Sequence, residues 1–238
     1  MAVARETPCD ALAPGLPWSV VLWDFDGTLA DTAQDVWASL EYAARQLGAS
    51  LPEDVDRTGE SLALPMGELF SLLVPAVDPA RLEDFDAAVT RHYRMLSSHV
   101  HTGFYPGIRE LLVDLRAGGA ACHIVTNKPR PALERILSLK GWGELFDGWV
   151  SSDSGGGEAL TKAQMIKLVL GPEGTAPGAC VMVGDSAGDI EGARAAGVAS
   201  VGVTYGDGAV ESLLAAAPDF VADDAGELRD ILLRGKKC

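Results

Sequence analysis

A chain of 238 residues with 47% hydrophobic side chains is long enough for one large domain, or a core domain with an insertion, around a sizeable apolar core. A formal net charge of −15 repels nucleic-acid phosphate and anionic membrane surfaces, which excludes both as general partners. The four cysteines, Cys9, Cys122, Cys180 and Cys238, show no C-x-x-C spacing, which argues against a zinc site or a disulfide framework and points to a reducing, cytoplasmic setting.

Residues 1–18 carry three prolines and Asp10 in place of a basic start and an apolar run, so they read as a loose extension and not as a secretion signal. No apolar run in the chain approaches the ~18 residues of a membrane span. The first expected strand is "SVVLW", 19–23, and three carboxylates, Asp24, Asp26 and Asp31, follow it at once. Ionised carboxylates repel one another and resist removal from water, so a cation or hydrogen-bond donors must accompany them.

From 32 to 104 no strand is expected, and the periodicity is helical. "DTAQDVWASLEYAARQLG", 31–48, puts Val36, Leu40 and Leu47 on one face, opens with a capping-box pair Asp31 and Gln34, and stops at Gly48. Asp31 is therefore expected as the helix N-cap. Further helices are expected over 66–74 and 80–98. The stretch 32–104 thus reads as an all-helical insertion between 19–31 and 105–238.

Beyond it, strands and helices alternate. A helix from Pro106 carries Leu111, Leu112 and Leu115 and stops at Gly118; "ACHIVTN", 121–127, is a strand; a helix after Pro131 carries Leu133, Ile136 and Leu137 and stops at Gly141. "GWVSS", 148–152, is the next strand. A helix from Thr161 then carries Met165, Leu168 and Val169 as far as Gly171. "ACVMVGD", 179–185, a helix over 187–196 and "SVGVTYG", 200–206, follow, and "RGKKC" reads as a loose tail. This alternation predicts an α/β fold with a Rossmann-like, doubly wound parallel sheet.

In such sheets ligands sit beyond the carboxyl ends of the strands. Those ends carry Asp24, Asp26 and Thr28, then Thr126 and Asn127, then Gly184, Asp185 and Asp189. An oxygen-rich cluster of this kind suits Mg²⁺. Lys162 sits in the first turn of its helix behind the cap pair Thr161 and Gln164, where its charge opposes the helix dipole by ~0.3–1 kcal/mol. That placement points to a functional reason, although a solvated lysine is the plain alternative. Thr126 and Asn127 also fit an ordinary turn, and Asp189 also fits the acidic member of a capping box begun by Ser186.

"DFDGT", "VTN", Lys162 and "GDSAGD", in this order, resemble the four signature motifs of the haloacid dehalogenase superfamily, with a helical cap inserted after the first. "VTNKP", "YPGIRELLVDLRAGG" and "VGDSAGDIEGARAAGVASVGVTYGDG" most resemble the phosphoglycolate phosphatase-like branch. The resemblance implies that Asp24 attacks phosphorus and that Asp26 is the acid and base. It implies Mg²⁺ on the Asp24 and Asp185 side chains and the Asp26 carbonyl, phosphoryl oxygens on Thr126, Asn127 and Lys162, and Asp189 behind them.

Within the superfamily, haloacid dehalogenases lack the second aspartate, which this chain has in Asp26, so an oxygen leaving group is favoured. Phosphonoacetaldehyde hydrolases use a cap lysine; residues 32–104 contain none. The same absence weakens a phosphoglucomutase-like reading. Arg57, before "TGESLALPMGELF", resembles the specificity loop of such caps and is expected to read a substrate carboxylate. The expected partner is a small phosphorylated metabolite, with a nucleotide or sugar phosphate as the alternative substrate. A non-catalytic phosphate- or metal-binding regulator is the alternative of another class.

Overall fold

The computed structural model describes residues 16–57, 60–171 and 176–235; most of the expected N-terminal extension and the last three residues of the expected tail lie outside the described residues. The first strand, β1 (Val20–Trp23), has all four side chains buried, which is why its sequence is an uninterrupted apolar run. Successive side chains leave a strand on opposite faces. Val21 and Trp23 accordingly enter one core, and Val20 and Leu22 enter another on the far side of the sheet.

A two-residue strand, β2 (Ala30–Asp31), leads into helices α1 (Ala33–Gln46), α2 (Met66–Leu73) and α3 (Leu82–Arg91), the last running into a π-helical turn at His92–Leu96. These pack on one another through a core of their own. Trp37, Leu40, Ala43 and Ala44 of α1 meet Leu69, Phe70 and Leu73 of α2 and Phe85 and Val89 of α3, with Phe70 and Phe85 edge to face at 5.3 Å. Leu40 is buried as expected, Val36 and Leu47 pack at the margin of this core, and Trp37, Ala43 and Ala44 widen the buried face of α1; Val36 also borders the cavity described below. Thr32, not Asp31, occupies the N-cap position; Asp31 sits one residue earlier and accepts from the Ala33 N–H at 3.1 Å.

The chain returns through β3 (Gly103–Phe104), antiparallel to β2, with Ala30 opposite Phe104 and Asp31 opposite Gly103. This strand falls in a stretch expected to have none. Two residues are too few to show a period. The exit is also tied to the entrance: Asp35 in the first turn of α1 is buried and accepts from both the N–H and the hydroxyl of Thr102, at 2.6 and 2.7 Å.

After β3 come α4 (Ile108–Ala117), β4 (Ala121–Thr126), α5 (Arg130–Lys140), β5 (Gly148–Ser151), α6 (Lys162–Leu170), β6 (Cys180–Gly184), α7 (Ala187–Ala196), β7 (Ala199–Val203), α8 (Val210–Ala215), β8 (Phe220–Ala222) and α9 (Ala225–Arg234). The main sheet has the order β5-β4-β1-β6-β7-β8, with every pairing parallel. The fold is therefore Rossmann-like α/β, with β1 between β4 and β6. Helices α4, α5 and α9 cover one face, and α6 and α7 the other.

Three details differ from the sequence expectation. Leu16 and Trp18, assigned to the loose extension, pack against the core, Trp18 edge-on to Phe220 at 6.3 Å. Arg234, expected in the tail, closes α9 and pairs with Asp230 at 3.0 Å. Leu168, expected on the buried face of α6, is exposed, and Ile166 takes its place beside Met165. Among the described residues no helix is long and apolar enough to cross a membrane.

Candidate active site

The carboxyl ends of β1, β4 and β6 converge at the centre of the sheet. Asp24 follows β1, with its N–H bonded to the Val183 carbonyl at 2.9 Å, and its position is therefore set by the ladder. The chain then turns sharply: Leu29 and Ala30 both donate to the Phe25 carbonyl. Gly27 has φ +73, and a Cβ there would lie 2.1 Å from an Asp185 carboxylate oxygen, so only glycine lets the turn approach so closely. Thr28 uses this proximity and donates to Asp185 Oδ1 at 3.0 Å.

Asp185 follows β6, and its other oxygen accepts from the N–H groups of Asp207 and Gly208 at 3.1 and 2.9 Å, in the loop after β7. Lys162, at the start of α6, reaches in from the opposite side. Its Nζ lies 3.0 Å from Asp24 Oδ1, 2.7 Å from Asp189 Oδ1 and 3.0 Å from the Val125 carbonyl, so the ammonium is held among three acceptors at the edge of the cluster. Thr161 and Gln164 form the expected capping box behind it. Asp189 does two things at once: it caps α7 through the Ser186 N–H and hydroxyl, and it pairs with Lys162.

Burial and mutual repulsion dominate the electrostatics of the cluster. Burial pushes Asp24 up to about 7 although Lys162 pulls it down, with Asp189, Asp185 and Asp26 adding repulsion. Burial, then Asp189, pushes Asp185 up to about 6 against the hydrogen bonds from Thr28 and Gly208. Burial works against the Lys162 ammonium, but Asp24 and Asp189 overcome it and hold its pKa above the ordinary value. Oxygens of Asp24, Asp185 and Asp189 all lie within 4.8 Å of one another, a spacing that a single cation can bridge.

A cavity of about 370 Å³ opens over this cluster, walled by Asp24, Asp26, Asn127, Lys128, Asp185, Ser186 and Asp207 below and by Thr32, Ala33, Val36 and Leu62 above. Thr126 is buried at the rim of β4, where its hydroxyl accepts from the Lys128 N–H at 3.1 Å. Asn127 is exposed and lends its carbonyl to Ser152. Arg57 is not brought to the cavity; it is exposed in the loop before α2 and absent from the lining. A larger open groove of about 850 Å³ between Leu47–Glu53 and Val74–Arg81 contains none of the clustered carboxylates.

Among the described lining residues the positive charge belongs to Lys128, which the sequence reading passed over. Its Nζ lies 2.8 Å from Asp26 Oδ1 and donates to the Tyr93 hydroxyl at 2.8 Å. The signal was present, because Lys128 follows a strand end like the residues singled out beside it. Asp207 and Tyr93 carried no comparable mark, since each comes from a loop or turn whose path only the fold reveals.

A doubly wound parallel sheet with clustered carboxylates and a lysine at the carboxyl ends of its central strands is the α/β architecture of a hydrolase. Residues 21–203 match the sequence model of haloacid dehalogenase-like hydrolases. A phosphoglycolate phosphatase from Vibrio parahaemolyticus is 30% identical over 223 residues, covering 90% of this chain and 95% of the relative. A 5'-nucleotidase from Pseudomonas aeruginosa is 30% identical, covering 89% of this chain and 94% of the relative. A solved structure of a candidate phosphatase from Clostridium difficile superimposes with a TM-score of 0.80 at 25% identity, covering 91% of this chain and 99% of the other. The chain belongs to the haloacid dehalogenase-like hydrolases, and within them it is a phosphatase.

Proposed function

We propose that this phosphatase hydrolyses a small phosphomonoester of the phosphoglycolate kind through an aspartyl-phosphate on Asp24, with Mg²⁺ as its cofactor. The observation that carries the reading is the largely enclosed Asp24 carboxylate, 14% exposed, at the end of the central strand, paired with Lys162 and crowded by Asp185. The donor set fits Mg²⁺: it is all oxygen, it is tightly spaced, and burial has left its carboxylates short of compensating charge. The Asp24 and Asp185 side chains and the Asp26 carbonyl would hold the ion. When bound, it would supply charge neutralisation for the transferring phosphoryl group.

The chain's own residues do the rest. An Asp24 oxygen forms a bond to phosphorus as the bond to the leaving oxygen breaks, and that oxygen takes a proton from the Asp26 carboxyl to leave as the alcohol. Asp26, now a carboxylate, takes a proton from water; the water oxygen bonds to phosphorus, the Asp24–phosphorus bond breaks, and inorganic phosphate leaves. Lys162, Thr126 and the N–H of Asn127 bind the transferring oxygens, and Asp189 holds Lys162 in place. The helices of 32–104 cover the cavity and keep water from the reacting group until the alcohol departs.

A nucleotide or sugar phosphate is the second reading, favoured by the similarity to a 5'-nucleotidase. The roughly 370 Å³ cavity lies near the lower end of ligand-site sizes, which supports the smaller substrate. A cytoplasmic location fits the cysteine usage. The test is Mg²⁺-dependent phosphate release from 2-phosphoglycolate, nucleoside monophosphates and sugar phosphates, with Asp24→Asn as the blank. One substrate should stand out with kcat/KM of ~10⁴ M⁻¹s⁻¹ or more. Phosphate release by Asp24→Asn at the wild-type rate would remove the mechanism.

A further inference from the structure

Asp26 is held by a network that the proposed chemistry does not by itself require. Lys128 is almost fully buried, with 5% of its side chain exposed, and its ammonium bonds Asp26 Oδ1 and the Tyr93 hydroxyl, both at 2.8 Å. The rings of Tyr93 and Phe25 flank it at 4.7 and 5.8 Å. The Thr32 hydroxyl donates to the same Asp26 oxygen, Oδ1. One oxygen of the carboxyl is thus fixed by two donors, and the other, Oδ2, is the one left to exchange a proton with a leaving group.

The backbone of Lys128 is itself pinned, by its N–H on Thr126 and by Pro129, which fixes φ at the start of α5. Tyr93 comes from the other body. It sits in the π-helical turn that ends the helical insertion, edge-on to the buried ring of His99 at 4.8 Å. Short π-helical turns inside helices concentrate at functional sites.

We propose that Lys128 is a positioning residue that aims Asp26 Oδ2 at the leaving oxygen, and that Tyr93 makes this aim depend on the seating of the helical insertion over the core. The proposal rests on the acid–base reading of Asp26. A neutral Asp26 carboxyl still accepts from Lys128 and Thr32 through Oδ1 while its proton resides on Oδ2, so the clamp persists through both steps. Lys128 bonds neither phosphorus nor water and exchanges no proton.

The experiment follows the first step alone, as single-turnover release of the alcohol or phenolate, because the second step uses Asp26 identically for every ester; it compares β-glycerophosphate, whose alkoxide leaves only with a proton, with p-nitrophenyl phosphate, whose phenolate leaves without one. Lys128→Met should lower this first-step rate on β-glycerophosphate by roughly tenfold to a hundredfold with little change in KM, and on p-nitrophenyl phosphate by less than about threefold. In an Asp26→Asn background the same substitution should cost nothing further, because its effect runs through the residue already removed. Equal loss on both esters, a loss carried by KM, or full additivity with Asp26→Asn would overturn the proposal. Tyr93→Phe, which removes one hydroxyl and no charge, carries the test if Lys128→Met does not fold: it should show a smaller loss selective for β-glycerophosphate, and an unchanged ratio between the two esters counts against the proposal. Asp26→Asn that loses equally on both esters would remove the acid–base reading itself, and the proposal with it.

Discussion

Burial pushes Asp24 up to about 7 and Asp185 up to about 6, both above the ~3.9 of a free aspartate. Between those limits the native chain holds protons that the unfolded chain has released. Their contribution to stability is therefore complete below about pH 4 and is lost as pH rises through 6 and 7. A divalent cation binds the ionised forms, so its stabilisation should grow over the same window. Thermal melts with EDTA or about 5 mM Mg²⁺ should show a larger Mg²⁺ increment in Tm at about pH 8 than at about pH 5.5; an increment that ignores pH would count against the pair as the cation site. Asp24, Asp185, Lys162 and Asp189 were legible in sequence because each stands at a strand end or a helix start, where topology decides direction. Lys128 gains its meaning only from Asp26, 102 positions away, and from Tyr93 in the insertion. Arg57 lies outside the cavity lining, and a charge on a loop carries no information in sequence about where that loop faces.

At the scale of elements, α6 and α7 meet at a glycine. A Cβ on Gly192 would lie 2.6 Å from Cβ of Lys162, so the lysine stem runs in a groove that only a bare backbone provides. Gly192→Ala should cost about 1–3 kcal/mol, the usual penalty of overpacking, and should also lower phosphate release by moving Nζ off its partners. Chemical denaturation and a Pi assay on the same preparation measure both; a destabilised variant with full turnover would show that Lys162 tolerates displacement. The loop after β7 has the same logic, since a Cβ on Gly208 would fall 2.1 Å from the Asp185 carbonyl oxygen. The buried strands β1, β4 and β6 could be read from sequence because both faces are covered and the apolar run is continuous. Strand β8 could not: Phe220–Ala222 is a three-residue edge strand whose middle residue, Val221, is exposed.

At the scale of the whole molecule, the charge of −15 sets a condition on binding. The cavity has four carboxylates, of Asp24, Asp26, Asp185 and Asp207, beside Lys128, and both site lysines are already paired with aspartates. An anionic substrate therefore meets a repulsive site until a cation enters. Calorimetry should detect inorganic phosphate binding with Mg²⁺ present and none with EDTA; equal affinity in both would mean that Lys128 and Lys162 suffice alone.

The two-rung pairing of β2 with β3 places the first and last residues of the helical insertion beside each other, about 5 Å apart as in any antiparallel ladder. Topologically, some seventy residues hang from the sheet as the loop of one very long hairpin. The apolar contacts of α1, α2 and α3 are largely internal to that loop. Such a piece is detachable: a short glycine-bearing turn from Asp31 to Gly103 leaves every parallel rung of the sheet intact. A trimmed protein of this kind should still melt cooperatively while losing discrimination among phosphate esters, and a relative's loop grafted onto the same two rungs should bring its donor's preference with it.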